Sequence, residues 1–274
     1  MTNASLFRRQ GTHWVPTDYA RGPWSPDALH GGPVAALVAR AVEECDAPEP
    51  VHVARLTLDI VRPVPVAPLT VDATVVRPGR KVQAVEARVR AGDVDLAWAR
   101  ALRIRVHRPG APEAEGLPDP AADGPVPGVD PGAPPGPGSG ARLSPPIGAY
   151  RGFHTEGAEL RFVQGAFGRP GPATVWVRLL VPVVADEEPS PLQRVAAAAD
   201  FGNGVSSVLD FTRYSFINPD LTVYLARPAR GEWVALEASS RMGEPGVGLA
   251  ECRLWDRAGP VGRSLQGLVV ERRT

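Results

Sequence analysis

The chain has 274 residues, and its 30 basic and 30 acidic side chains leave no formal net charge. That balance argues against nucleic-acid binding by bulk phosphate attraction, and no apolar run is long enough to span a bilayer. The first ten residues lack the apolar segment of a secretory signal. Cys45 and Cys252 are too few for a disulfide scaffold or a zinc cluster. We therefore expect a cytoplasmic protein with buried thiols.

The first predicted elements form one helix followed by four strands. His30-Gly31-Gly32-Pro33 precedes an apolar, alanine-rich run, Val34–Cys45, that is typical of a buried helix. The strand-like runs after it are His52–Arg62, Leu69–Arg77, Lys81–Ala91 and Leu96–Val106. Short turns such as Pro78-Gly79 favour an antiparallel meander.

Residues 108–146 are rich in proline and glycine and contain almost no large apolar side chain. Such a segment cannot bury enough surface to offset its ordering entropy, so it is predicted to be a disordered or polyproline-like linker. It divides the chain into an N-terminal part, 1–107, and a C-terminal part, 147–274.

The C-terminal part repeats the order of helix and strands. Ser190 is a natural N-cap with Pro191 at the first helical position, and the helix Leu192–Phe201 is loosened by Gly202-Asn203-Gly204. The strand-like runs that follow are Thr222–Arg227, Trp233–Ser240, Gly248–Trp255 and Ser264–Glu271. We predict an α+β fold with a buried helix against an antiparallel sheet in each half.

Several short segments recur 165 residues apart. Leu56-Thr57-Leu58 returns as Leu221-Thr222-Val223, and the same offset (221 − 56) relates Glu86-Ala87-Arg88 to Glu251-Cys252-Arg253 and Ser25-Pro26 to Ser190-Pro191. We infer an ancient duplication in which both halves share one fold.

This arrangement resembles the hotdog fold and, more narrowly, the double-hotdog acyl-CoA thioesterases of the bacterial type II family. The resemblance is carried by Leu29-His30-Gly31-Gly32, by Ala198-Ala199-Asp200-Phe201-Gly202-Asn203-Gly204, by Asn218-Pro219-Asp220 and by Ser264-Leu265-Gln266-Gly267. It covers nearly the whole chain except the linker. It implies a tandem hotdog, with the active site in the C-terminal copy.

The resemblance also implies catalytic roles for Asp200, Asn218 and Gln266. Asp200 follows four alanines, so we expect partial desolvation to raise its pKa toward that of a useful general base. Gln266 and Asn218 would hold the attacking water. Asn218 departs from the family, which usually has Thr or Ser there. Plain structural interpretations remain open, namely a local cap for Asp200, a core amide for Gln266 and a turn for Asn218.

His30, Gly31, Gly32 and Gly202 are the predicted substrate-binding residues. A glycine N–H at the positive end of a helix can polarise a thioester carbonyl, although His30 would also suit a backbone-bonded helix start. The position 165 residues before Asp200 is Ala35, so the first copy is expected to lack a site of its own. No nucleophile elbow, metal motif or nucleotide motif is present, and we expect neither a covalent intermediate nor a cofactor.

The leading hypothesis is an acyl-CoA thioesterase that releases a free acid and CoA by direct attack of water. A non-catalytic acyl-binding hotdog protein is an alternative, supported by Asn218. An enoyl-CoA hydratase or dehydratase is a further one, which usually needs a histidine paired with an acid across the interface. No histidine lies near Asp200 in sequence. We also expect a homodimer, since hotdog sheets commonly associate.

Overall fold

A computed structural model describes residues 4–107, 111–112, 115, 132–145 and 150–273. One antiparallel sheet of twelve strands dominates it, beside a separate two-stranded hairpin. The strands of the hairpin and of the N-terminal half are β1 (Phe7–Gln10), β2 (His13–Pro16), β3 (Val51–Ile60), β4 (Thr70–Pro78), β5 (Val82–Ala91) and β6 (Val94–Arg105). The remaining strands are β7 (Ala141–Arg142), β8 (Ala158–Gln164), β9 (Ala173–Leu179), β10 (Tyr214–Ile217), β11 (Asp220–Leu225), β12 (Val234–Met242), β13 (Val247–Asp256) and β14 (Gly259–Arg272).

Two helices lie against this sheet and against each other. They are α1 (Gly31–Glu44) and α2 (Pro191–Ala199), and a single turn, α3 (Gly202–Val205), follows α2. Shorter turns occupy Asp18–Ala20, Pro137–Ser139 and Phe153–Gly157. The helices are antiparallel neighbours, α1 packing on β3–β5 and α2 on β9, β11 and β12. None of the helices in the described segments is long and apolar enough to cross a membrane.

The strand order makes the two halves symmetric about one junction. The sheet runs β4-β5-β6-β3 and continues through β11-β14-β13-β12, so β3 and β11 meet at the centre. The prediction of a simple meander is therefore wrong for the first strand of each half, because β3 pairs with β6 instead of β4. This is the double hotdog expected from the sequence.

The 165-residue offset is confirmed at the strands. Adding 165 to the bounds of β5 gives those of β13, and adding it to Val94, where β6 begins, gives Gly259, where β14 begins. The register also places Thr57 opposite its own repeat mate, Thr222, with 3.2 Å between their Oγ1 atoms. In an antiparallel pair, that opposition marks the pseudo-two-fold axis of the duplication.

The offset fails at the helices. Helix α2 begins at Pro191 and α1 at Gly31, a separation of 160 residues (191 − 31). Ser190 caps α2 by accepting the Gln193 N–H, whereas Ser25 lies in a turn upstream of α1, which His30 caps instead. The gap-free match of Ser25-Pro26 to Ser190-Pro191 is therefore wrong structurally.

Both halves contribute to one hydrophobic core. Val34, Leu37 and Val38 of α1 belong to the same buried cluster as Val195 and the alanines of α2. Small side chains let the two helices approach closely, because an alanine adds little bulk between their backbones. The core ties the halves together across the central strand pair.

The predicted linker, residues 108–146, is not wholly without structure. Of its described residues, Ala141 and Arg142 form β7 and pair with β8, and the Pro135 carbonyl accepts a 2.7 Å hydrogen bond from the Trp176 indole. The prediction of disorder is therefore wrong for this end of the segment, where strand pairing and the indole N–H provide hydrogen-bond partners for the backbone. The part from 116 to 131 lies outside the described residues, and the division into two domains stays a prediction.

The sequence analysis did not identify six of the strands. They are β1, β2, β7, β8, β9 and β10. Strand β9 is a continuous apolar run whose first five residues are all buried, a pattern that marks a central strand. Strands β10 and β11 together correspond to the single strand β3, interrupted at Asn218-Pro219.

Candidate active site

A cavity of about 520 Å³ opens between the two halves. Its wall is mostly apolar and includes Trp24, Leu29, Val34, Ile60, Phe167, Phe201, Phe211 and Val269. The polar side chains His30, Asp200, Asn203 and Asn218 also line it. An apolar cavity with a few convergent polar groups is the usual form of a small-molecule site.

Asp200 stands where α2 ends, and it is only 5% exposed. Its Oδ2 lies 2.7 Å from His30 Nδ1, and its Oδ1 accepts a 2.9 Å hydrogen bond from Asn218 Nδ2. Gln266 Nε2 makes a longer contact, 3.4 Å, with the same Oδ1. The carboxylate therefore receives donors from three separate parts of the chain.

The start of α1 is built around this carboxylate. A Cβ on Gly31 would lie 2.8 Å from both Asp200 oxygens, and one on Gly32 would lie 2.5 Å from the Ala197 carbonyl oxygen. Neither contact can be tolerated by a fixed neighbour. The two glycines are needed here because they let the N-terminus of α1 meet the C-terminal end of α2.

The protonation state of His30 follows from its contacts. Its Nδ1 lies 3.1 Å from the Gly32 nitrogen, as an N-cap acceptor would, and 2.7 Å from Asp200 Oδ2. Both cannot be hydrogen bonds at once, since the contact with an ionised carboxylate needs a proton on Nδ1. We assign that proton to Nδ1. The Gly32 N–H is then left to the Asp200 carboxylate, whose pKa it helps to lower.

The electrostatics of Asp200 differ from the sequence expectation. Burial alone would raise its pKa, but the charge and hydrogen bond of His30, with those of Asn218 and the Gly32 N–H, outweigh burial and lower the pKa below its ordinary value. The prediction of a raised pKa was wrong because the sequence did not reveal these donors. Asp200 is held as a carboxylate.

Gln266 is fixed by the loop after α2. It is 1% exposed, and its Oε1 accepts a 3.1 Å hydrogen bond from the Asn203 N–H while its Nε2 donates to the Asp200 carbonyl at 3.3 Å. A Cβ on Gly202 would lie 2.9 Å from that Oε1. Gly202 therefore makes room for the amide, and its place in substrate binding stays a prediction.

Asn218 is placed by the break between β10 and β11. Pro219 has no N–H to give to a ladder, so the strand is interrupted there, and the Asn218 side chain turns inward. Its Nδ2 donates to Asp200 Oδ1 and to the Asp220 carbonyl, the latter at 3.1 Å, while Asn203 Nδ2 lies 3.4 Å from its Oδ1. In the N-terminal half, Val53 stands at the position that corresponds to Asn218, and Ala101 stands at the position that corresponds to Gln266.

All seven predicted site residues lie in one cluster at the junction of the halves. Two features were missed, namely the pairing of His30 with Asp200 and the part played by Asn203. Asn203 stands inside the segment Ala198–Gly204 that carries the family resemblance, yet nothing in its neighbours distinguishes it from an ordinary loop residue. No described His, Cys, Asp or Glu residues form a group that could hold a metal ion.

Comparison with known families agrees with this geometry. The profile of the acyl-CoA thioesterase N-terminal domain matches residues 20–106, and that of the acyl-CoA thioesterase C-terminal domain matches residues 115–270. The chain belongs to the acyl-CoA thioesterase family. It is thus an acyl-CoA thioesterase, a hydrolase of thioesters. No curated protein matches the sequence significantly.

Solved structures share the fold of this acyl-CoA thioesterase. A candidate thioesterase II from Thermobifida fusca has a TM-score of 0.69 at 19% identity, covering 99% of this chain and 97% of its own. A protein with the hot dog fold from Alicyclobacillus acidocaldarius has a TM-score of 0.70 at 18% identity, with 99% and 97% covered. An acyl-CoA thioesterase II from Mycobacterium marinum has a TM-score of 0.60 at 18% identity, with 90% and 91% covered. These likenesses show the tandem hotdog fold.

Proposed function

We propose that the thioesterase hydrolyses acyl-CoA by direct attack of water at the cluster around Asp200. The observation that carries this proposal is the buried, ionised carboxylate of Asp200 at the polar part of an apolar cavity. The acyl chain would occupy the apolar part, and the thioester carbonyl would meet the polar cluster. No side chain in the cluster is a serine or cysteine nucleophile, which favours water over a covalent acyl-enzyme.

The cluster residues divide the work of the reaction. Asp200 supplies the negative charge on which water activation depends. Gln266 and Asn218 fix the orientation of the Asp200 carboxylate through their amide N–H groups. The expected role of Gly32, an N–H directed at the thioester carbonyl, is weakened because that N–H is directed at the cluster itself. The Gly31 N–H at the start of α1 is the donor we propose for the developing oxyanion.

Asp200→Asn tests the proposal. The substitution keeps the volume of the side chain and removes its charge, so CoA release should fall about 10²- to 10⁴-fold across a panel of short, medium and long acyl-CoA substrates. Release of CoA is followed with a thiol reagent. Unchanged turnover would overturn the assignment.

Asp186→Asn is the matched control. Asp186 is exposed on a loop outside the cavity, with a φ of 64° that asparagine also adopts readily. This variant should keep full activity and thermal stability. Tight binding of acyl-CoA without hydrolysis by the wild-type protein would instead indicate the non-catalytic acyl-binding alternative.

One contact bears on the hydratase alternative. The sequence disfavours that reaction because no histidine lies near Asp200 along the chain, yet His30 from the other half lies 2.7 Å from it. An enoyl-CoA in the same panel separates the two reactions, since hydration removes the enoyl chromophore without releasing CoA. Family membership favours release of the thiol. We therefore expect that the enoyl absorbance is not lost before CoA is released.

We also infer a cytoplasmic homodimer that serves fatty acid metabolism. Cys45 and Cys252 are both free thiols, as in proteins of a reducing compartment. The outer face of the sheet exposes Tyr224 and Leu265 on adjacent strands, an apolar area suited to a second copy. Light scattering should give twice the chain mass, and Leu265→Glu should give the chain mass itself.

A further inference from the structure

Both oxygens of the Asp200 carboxylate are already occupied. A carboxylate offers about four lone-pair positions, and three side-chain donors contact this one, namely His30 Nδ1, Asn218 Nδ2 and Gln266 Nε2. The Gly32 N–H also helps to lower the pKa of Asp200. The side chain is also 5% exposed. Little room or basicity is left for Asp200 to take a proton from water directly.

His30 keeps one ring nitrogen uncommitted, whereas both carboxylate oxygens of Asp200 are occupied. His30 lines the cavity, and its ring packs against Phe153 and Phe201, with ring centroids 5.0 and 4.8 Å away; those two rings also stack on each other at 5.2 Å. Because Nδ1 is committed to Asp200, Nε2 is the ring nitrogen left to contact a water or a thioester in the cavity. The bond to Asp200 and the contacts with the two aromatic rings restrict the direction of that nitrogen.

We propose that His30 is the catalytic acid and base of this thioesterase, acting through Nε2, while Asp200 holds and charges it through Nδ1. This inference rests on the proposed function. It moves the role of general base from Asp200, where the sequence placed it, to a residue of the first half. Asp200 becomes a positioning residue whose charge stabilises the imidazolium.

The steps balance without a further reactant. The water oxygen forms a bond to the thioester carbonyl carbon while one of its protons passes to Nε2, giving an oxyanion and an imidazolium. The adduct then collapses, the carbon–sulfur bond breaks, and the Nε2 proton passes to the sulfur of the departing CoA. Free acid and CoA leave, and His30 is neutral again.

Two substitutions separate this role from helix capping. Asparagine is favoured at a helix start and can donate to Asp200, so His30→Asn keeps a hydrogen bond to Asp200 at the start of α1 and loses only Nε2. His30→Ala loses both. We expect kcat to fall about 10²- to 10⁴-fold in both variants, with KM changed only a few-fold. Only His30→Ala should also lose thermal stability.

The pH profile provides a second measurement. The titratable or charged groups that line the cavity with His30 are Asp200, His154 and Arg62. A general base must be deprotonated to act, so it gives kcat/KM a limb that rises with pH. That rise should vanish in His30→Asn and persist in His154→Asn. His30→Asn with near wild-type kcat and the same rise would overturn the proposal.

Imidazole nitrogen NMR of the wild type tests the geometry without any variant. Neutral His30 should carry its proton on Nδ1, and finding it on Nε2 would also overturn the proposal. The outcomes remain distinct from failure of the proposed function. No turnover of any acyl-CoA by the wild type refutes hydrolysis itself, whereas an inactive Asp200→Asn beside a fully active His30→Asn refutes only the role of His30.

Discussion

Gly31→Ala should damage the active site without removing any functional group. The added Cβ would lie 2.8 Å from both oxygens of Asp200, whereas an ordinary carbon–oxygen contact is about 3.3 Å or more. Asp200 is buried at the end of α2, so it must retreat by roughly 0.5 Å. Its 2.7 Å contact with His30 would then lengthen beyond a strong hydrogen bond.

The effect on rate follows from that displacement. A misplacement of about 1 Å in a catalytic group costs about 10²-fold, so a shift half as large should lower kcat roughly tenfold. Stability should change little, because overpacking costs about 1–3 kcal/mol and replacing glycine in a helix regains about 1 kcal/mol. The substrate contacts in the apolar cavity are untouched, so KM should stay within a few-fold.

Steady-state CoA release and a thermal melt measure both quantities. Gly243→Ala is the matched control, since a Cβ there meets nothing within 4 Å and the turn lies outside the cavity wall. Wild-type kcat in Gly31→Ala would refute the reasoning.

Three further predictions concern the rest of the cluster, the core and the thiols. Gly202→Ala should lower kcat more than Gly243→Ala, because its Cβ would lie 2.9 Å from Gln266 Oε1 and 2.7 Å from the sulfur of Cys252; equal kinetics in the two variants would contradict this. Burial would raise the pKa of Asp256, but the Arg227 guanidinium and two backbone N–H groups lower it, so its stabilising effect is present above the unfolded value of about 3.9 and is lost as the pH falls. Arg227→Ala should therefore cost about 3–5 kcal/mol at neutral pH and less at acid pH, and a urea titration showing an equal cost at both would argue against it. Burial raises the pKa of Cys252 to about 12, so a thiol reagent at pH 8 should label it only after unfolding, and fast labelling of the folded protein in mass spectra would refute this.

Much of the fold could be predicted because the strands keep their repeat. The shared offset of β5 with β13 follows from one sheet geometry copied twice, in which an insertion would shift every side chain to the other face. The helices escape this constraint. The five extra residues of the second half lie between the start of α2 and β11, largely in the segment after α3, so a helix register copied from the strands was misleading.

The site residues could be predicted by type but not by contact. The family resemblance identified Asp200, Asn218 and Gln266, and the alanines before Asp200 indicated that it is buried. His30 lies 170 positions before Asp200 (200 − 30), and no local pattern relates them. The direction of the Asp200 pKa shift depended on that contact, so it could not be derived from the neighbours of Asp200 alone.

The pseudo-symmetry explains why only one end of the helix pair carries this site. Antiparallel helices related by a two-fold axis meet twice, once at His30 and Asp200 and once where the C-terminal end of α1 meets the start of α2. At that second meeting, Ser190 donates to Glu43 at 2.6 Å, and Arg40 forms a bidentate pair with Glu187 at 2.6 and 2.9 Å.

The residues of the first half that correspond to the site residues also differ from them. Asp200 corresponds to Ala35 by the strand offset or to Arg40 by the helix starts, and neither is a carboxylate. Val53 and Ala101 replace Asn218 and Gln266. The second meeting is thus an ion pair that fastens the helices, while the first keeps an imidazole beside a carboxylate. A single chain can diverge in this way because each half is free to change alone, which a symmetric dimer of identical hotdogs cannot do.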